Sequence, residues 1–589
     1  MRRARPLSVV TVGCPPTLTP VTSPTPGPRP DPGGGTVRLG ATAADRCRRR
    51  VHLDADPAAR LPAVSAAGEQ RREDARVHRL AVLEHLAPSL PSGTAADRFP
   101  DLAPDRPPAP FPPVGDERPA VVLGAQLHSA TRVGRPDLLI WDGRGYLPVL
   151  IRAHRTLDRG GGAPTSPVSD PLAVRADPLR KARRHRDDAL ALAHHVRLLQ
   201  DLGWASPDLR GGVIGHGAAD GLPPDDETIL WHDLDPAPVP RAGGTGGGVA
   251  PRISTPLADY DRRFADRLAV ARAAGAGGVL ALPSRVSECR RCPWWPRCEP
   301  ELEAAGDVSL LVGSAEVAAL HAVGVRTVDQ LAGLDPATVA ALELGGVSAG
   351  RDRVRARARQ QGFPLVRRAA VPGVLRADVE LDVDSESYLE DGAYLWGTFL
   401  SGVPIGVPEG FTGFATWARL PGRAAGEVFA AFWAHLTDLR GRAAAAGLTF
   451  AAYCWSASAE ERWMRSAPRQ YPDVPGMPSA AEVDAFCRSA QWVDLYAEVR
   501  RDFLAVGSLR LKAVAPIAGF AYRDEDPSGE NSLSWYRAAA GMDGPPDPVT
   551  ARRLLEYNED DVRATLAVRR WVTERSGDVP TVDELSQDS

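Results

Sequence analysis

The chain has 589 residues and a formal net charge of −4, with 24% charged and 6% aromatic residues. That length accommodates about three or four domains with sizeable cores, and the charge excludes a globally basic nucleic-acid binder, so any such surface is local. No run of about 18 apolar residues occurs, which excludes a membrane-spanning helix, and seven cysteines in so long a chain exclude the disulfide-dense secreted class. A reduced, cytoplasmic protein is expected. Basic residues are almost all Arg: the lysines are Lys181 and Lys512, and the asparagines are Asn531 and Asn558. An Arg in a place that wants Lys therefore carries little meaning, whereas a rare residue kept inside a motif is informative.

In chain order, residues 1–36 carry nine prolines and a GGG run. The apolar stretch after MRRARP is too short and too polar for a secretory signal, so this segment reads as a disordered leader or a misassigned start. Residues 37–306 pattern as mixed α/β and hold Cys47, in ATAADRCRRRVHLD, and SECRRCPWWPRCEPE with Cys289, Cys292 and Cys298. The segment ADPLRKARRHRDD adds Arg180, Lys181, Arg183, Arg184 and Arg186, a basic cluster suited to phosphates or else a solvated helix face. Residues 307–365 are short and helical, residues 376–575 form a second α/β unit, and the acidic tail 576–589 is expected to fray.

Cys47 precedes Cys289 by 242 positions (289 − 47). One distant cysteine plus C-x2-C-x5-C is not a zinc-finger spacing, which keeps its pairs close. It resembles the arrangement in RecB-family nucleases of the iron–sulfur subclass, in which one cysteine precedes the nuclease core and three follow it. The resemblance implies a [4Fe–4S] cluster stapling the ends of a restriction-endonuclease-like domain. The alternatives are zinc, held by the four cysteines or as a knuckle of three cysteines plus His52, and simple buried thiols. The same family places an Asp before a Glu-x-Lys strand. GRPDLLIWDGRGYLPVLIRAH supplies Asp137, but the Glu-x-Lys slot reads Leu150-Ile151-Arg152. Leu150 offers no metal ligand and Arg152 does not deprotonate. The Gln-x-x-x-Tyr element that follows in the family reads Ala191 and His195, while His78 matches the family's helical His. The domain thus resembles a nuclease fold that has lost its chemistry.

LLVGSAEVAALHAVGVRTVDQLAGLD resembles a helix–hairpin–helix unit, with Leu320, Val325, Val328 and Leu331 as its small core and Gly324 freeing the turn to face a phosphate. RDRVRARARQQ adds cations for the same nucleic-acid backbone. In LDVDSESYLEDGAYLWG, Asp382, Asp384 and Glu386 alternate along a strand and so share one face. Tyr557 stands four residues before Asp561 on a helical stretch, again on one face. Together these resemble a ribonuclease H-like exonuclease of the DEDD type, whose last motif is Tyr-x-x-x-Asp. Glu460, with Glu461 as alternative, fills the second acidic station, and Asp494, Lys512 and Asn558 fall in supporting motifs.

The order of motifs over about residues 37–575 resembles a bacterial RecB-like nuclease family carrying a YprB-type ribonuclease H-like domain. The resemblance implies a multi-domain α/β protein that hydrolyses DNA or RNA ends in the 3'-5' direction. Asp384, Glu386, Glu460 and Asp561 would hold two Mg2+ or Mn2+ ions, Tyr557 would orient water, and Asp382 is a fallback ligand. The alternative is a non-catalytic nucleic-acid-binding scaffold.

Overall fold

The computed structural model describes residues 37–62, 66–86, 88, 118–216, 227–236, 254–389, 391–524 and 531–587. The leader expected at 1–36 lies outside the described residues.

The N-terminal unit is built on a seven-stranded mixed sheet. Its spatial order is Val121–Leu123, Leu138–Trp141, Tyr146–Ile151, Arg210–Ile214, Thr228–Asp233, Ala163–Pro167 and Arg175–Asp177. The interior strand YLPVLI is buried at every position, as a continuous apolar run implies when both faces are covered. It pairs in parallel with Arg210–Ile214, and the connection between them includes the helix Arg186–Asp201, which packs against both. The helix Pro256–Gly275 packs on that helix and also on Arg48–Ala55, bringing the start of the unit back to its end. Arg180–Ala182 is a strand edge rather than part of a helix, and Arg180, Arg183 and Arg186 are paired with Asp177, Asp158 and Asp259. The basic cluster expected to meet phosphates is therefore largely neutralised from within.

Two helical hairpins follow. Ser314–Ala322 and Val328–Ala332 turn at Gly324 (φ 83°), and Pro336–Leu344 and Ala349–Gln360 turn at Gly346 (φ 84°). Both turns close alike: Val325 N donates to Leu320 O (2.9 Å) and Val347 N to Leu342 O (3.0 Å). The positive φ explains a glycine at each. Leu320, Val325, Val328 and Leu331 are buried together with Leu342, Val366 and Leu504, so the hairpins share a core with the C-terminal unit. The cations of RDRVRARARQQ are used differently from expectation. Arg355 donates to Ala505 O and Val506 O, and Arg357 to Ala332 O and Leu585 O, so these two satisfy the protein's own carbonyls. The tail is also corrected: Thr581 and Glu584 cap the helix Val582–Ser586 reciprocally, and Leu585 is buried against the hairpins.

The C-terminal unit has a five-stranded sheet in the order Gly410–Ala415, Gly392–Gly402, Val379–Tyr388, Phe450–Cys454 and Trp492–Asp494. The first three are antiparallel and the last two add in parallel. Val379, Leu381 and Val383 pack with Phe429, Phe432 and Leu436 of the helix Arg423–Ala445 on one face. The helix Pro548–Glu574 covers the other face.

Candidate active site

Period two along Val379–Tyr388 that buries Val379, Leu381 and Val383 sends Glu380, Asp382, Asp384 and Glu386 to the opposite face. Four carboxylates in one row repel unless cations divide the charge. The helix Pro548–Glu574 runs antiparallel over the row and splits it. At one end Arg569, itself fully buried, pairs with Asp382 at 2.7 Å and with Glu380. Arg376 adds a second cation to Glu380 at 2.7 Å. Although burial pushes the Glu380 carboxyl upward, Arg376 and Arg569 hold it at about 2. Asp382 is thus an ion-pair partner of Arg569 in this structure.

At the other end, Asp384, Glu386 and Asp561 present carboxylate oxygens that all lie within 4.8 Å of one another. Asn558 donates to Asp384 Oδ2 at 2.7 Å. It fits because Gly397, the cross-strand neighbour of Asp384, has no side chain: a Cβ there would run into the Asn558 amide. Tyr557 is buried one turn before Asp561, edge-on to Trp535 with ring centroids 5.6 Å apart. Its hydroxyl accepts a hydrogen bond from Lys512 Nζ, which also lies 3.5 Å from Asp561 Oδ2. Glu460, on the helix Ala457–Gln470, is buried beside the Ser385 backbone but outside the group of three. Asp494 accepts from Ala457 N and Ala497 N, so it ties together the starts of two helices, close enough to Glu460 for its charge to raise that carboxyl.

Burial pushes these acids up, and at Asp384, Glu386 and Glu460 the charge of neighbouring carboxylates adds to it. Asp384 rises well above the usual range, Glu386 to about 7, Glu460 to about 8, and Asp561 rises despite the opposing Lys512 charge. Asp561 Oδ1 and Glu460 Oε2 are buried without a hydrogen-bond partner among the described residues. Orphaned oxygens in an under-compensated acidic nest fit hard divalent cations, which take oxygen ligands.

A pH dependence follows from these positions. A carboxyl whose folded value lies above its unfolded value binds more protons in the folded state, so stability falls as pH rises between the two. For Glu386 and Glu460 that window runs from their ordinary range up to about 7 and about 8. In EDTA, the melting temperature of this domain is expected to drop by a few degrees between pH 6 and pH 8, and Mn2+ is expected to remove the drop. A Glu386→Gln, Glu460→Gln variant flattens the slope; an unchanged slope in that variant would assign it to other groups.

Residues 470–573 match a family model of the ribonuclease H superfamily. The C-terminal domain is ribonuclease H-like. No curated protein and no solved structure matches the chain. Within the ribonuclease H-like domain the match takes in Asp494, Lys512, Tyr557, Asn558 and Asp561. Asp384 and Glu386 precede it and meet Asp561 from the strand Val379–Tyr388, while Glu460 precedes it on the helix Ala457–Gln470.

The residues singled out in the N-terminal unit are held by their neighbours. Asp137 accepts from Ile151 N at 2.7 Å and pairs with Arg79 at 2.6 Å. Leu150 is buried in an apolar cluster, and Arg152 pairs with Asp188, which His154 also meets at 2.9 Å. His78 lies on the helix Ala66–Leu86, its ring 4.4 Å from that of His216. The same helix reaches the ribonuclease H-like domain through Asp74 and Arg537 (3.0 Å).

Cys47, Cys289, Cys292 and Cys298 line one small cavity, with Arg50, Glu288, Trp294 and Trp295 around them. All four are free thiols. Glu288 accepts from Cys47 N at 2.6 Å and pairs with Arg46 and Arg50, and Trp294 donates to Asp54 at 2.7 Å. Burial pushes the Cys298 thiol up to about 11 and also raises Cys289 and Cys292. Four free thiols converging on one cavity fit a metal that takes thiolates.

Sequence reasoning passed over Gly397, Asp188 and Arg569. Arg569 carried a readable signal: it stands eight positions after Asp561 on one amphipathic helix, close to the same face. Asp188 and Gly397 carried none, since each matters through a partner distant in the chain.

Among the described residues no helix is long and apolar enough to cross a membrane.

Proposed function

We propose that the ribonuclease H-like domain is a metal-dependent nuclease that hydrolyses phosphodiester bonds of DNA or RNA from an end, in the 3'-5' exonuclease manner. The observation that carries this reading is the meeting of Asp384, Glu386 and Asp561 on one face, with Tyr557 one turn away. Asp384, Glu386 and Asp561 would hold Mg2+ or Mn2+, with Glu460 beside them. Such ions, when bound, stabilise charge on the scissile phosphate and the leaving oxygen. Tyr557 orients the attacking water through its hydroxyl, and Asn558 fixes the Asp384 carboxylate. Single- and double-stranded DNA and RNA, end-labelled and incubated with Mg2+, Mn2+ or EDTA, test the proposal: cleavage only with metal supports it. Glu460 lying outside the carboxylate group favours the second reading, a nucleic-acid-binding scaffold. Binding without cleavage of any substrate would select that reading.

The N-terminal unit we take as a RecB-like fold without nuclease activity, since Leu150 gives no ligand and Asp137 is occupied by Arg79. In this reading the four cysteines hold a [4Fe–4S] cluster that ties Cys47 to the segment 289–298, and the turn at Gly324 contacts the nucleic-acid backbone. Anaerobically purified protein should be brown, with about four irons per chain. Cys47→Ser should lose that absorbance. One zinc and no iron would keep the staple but change its metal; neither metal would leave ordinary buried thiols.

A further inference from the structure

Among the catalytic groups, Lys512 is the unusual one. The chain places Arg at nearly every basic position and Lys at only two, and one of these lies inside the acidic nest. Its ammonium is held from several sides. It donates to the Tyr557 hydroxyl, stands 3.5 Å from Asp561 Oδ2, and sits 4.1 Å and 5.7 Å from the ring centroids of Tyr557 and Tyr522. Asp561 is thereby used asymmetrically: Oδ2 faces the ammonium, while Oδ1 is buried without a hydrogen-bond partner among the described residues. Oxygens of Asp384, Glu386 and Asp561 gather within 4.8 Å, the span of one ion's ligand shell, and Glu460 is not part of that gathering. Two-ion sites need a second set of ligands about 3.5–4 Å from the first ion.

We propose that Lys512 is the second cation of this site: its ammonium takes the place of a second divalent ion, so that Asp384, Glu386 and Asp561 hold one. This rests on the metal-dependent nuclease reading above and deepens it. A lysine suits the role because an ammonium is a compact point charge, whereas a guanidinium is a planar fork too large for an ion's place. Lys512 also acts on Tyr557 as a positioning residue. With its oxygen accepting from Nζ, the phenol directs its own O–H into the cleft, toward a water or phosphate oxygen.

The test is a count of Mn2+ on the full chain by electron paramagnetic resonance, subtracting ions still bound in Asp384→Asn. Wild type should bind about one Mn2+ at this site, and Lys512→Met about two, because Asp561 Oδ2, released from the ammonium, becomes a ligand for a second ion in the vacated place. Lys512→Gln, read alongside, guards against a folding defect in the first variant. About two ions on wild type would overturn the assignment of Lys512 alone, as would a count that stays at one in both variants. No Mn2+ on wild type would overturn the metal-centre reading and this one with it.

Discussion

On the proposed nuclease reading, replacing Asp384 by Asn should remove metal-dependent cleavage, a fall of at least about a thousandfold, while nucleic-acid binding should stay near wild type. The size follows from the loss of a charged ligand at the centre of the site: several kcal/mol of transition-state stabilisation go with it, and each 1.4 or so is about tenfold in rate. Asn keeps the shape and the contact with Asn558 on one atom, so the fold survives. Loss of the negative charge relieves repulsion with Glu386 and Asp561, and the variant should melt no lower than wild type in EDTA. Asp137→Ala, assayed in parallel, should leave cleavage unchanged. The reverse pattern, with cleavage surviving Asp384→Asn and lost in Asp137→Ala, would move the hydrolytic centre to the N-terminal unit.

The sequence carried the outline of this site because strands and helices encode their faces locally. Alternation placed Asp382, Asp384 and Glu386 on one side of Val379–Tyr388, and the i, i+4 spacing placed Tyr557 with Asp561. What alternation does not encode is which members of the row face open space, because that depends on a partner helix distant in the chain. Glu380 and Asp382 are claimed by Arg569, and the register of that helix decides it. The second hairpin at Gly346 was missed for a related reason. Its turn repeats the hydrogen bonds of the first, but its sequence, LELGGVSAG, repeats only the Leu, Gly and Val positions. Composition is an incomplete guide as well: a run such as RDRVRARARQQ reads as cations for a nucleic-acid backbone, yet Arg355 and Arg357 serve carbonyls at the junction of the hairpins with the C-terminal unit. The cysteines were legible as a group through scarcity and clustering, and their placement around one cavity follows from helices that return the chain across 242 positions (289 − 47).

Arg569→Met should destabilise the ribonuclease H-like domain by about 3–5 kcal/mol, the cost of leaving a buried charge without its partner. Arg569 has no exposed surface, and it stands 4.1 Å over the ring of Tyr453 while pairing with both carboxylates. Once it is gone, Glu380 keeps Arg376 and the Tyr453 hydroxyl, but Asp382 is left fully buried with no cation. That carboxyl must then hold its proton or draw in water, so the loss should shrink as pH falls toward 5 in urea unfolding. Converting the partners too, as Arg569→Met with Glu380→Gln and Asp382→Asn, should restore most of the stability, because replacing every member of a buried ionic group can be close to neutral. The triple variant leaves Asp384, Glu386 and Asp561 untouched, so metal-dependent cleavage should return with the fold. A single variant within about 1 kcal/mol of wild type would mean that the network contributes little. Stability regained without cleavage would instead show that the ion pairs set the register of the helix on the strand, and through it the meeting of the three carboxylates.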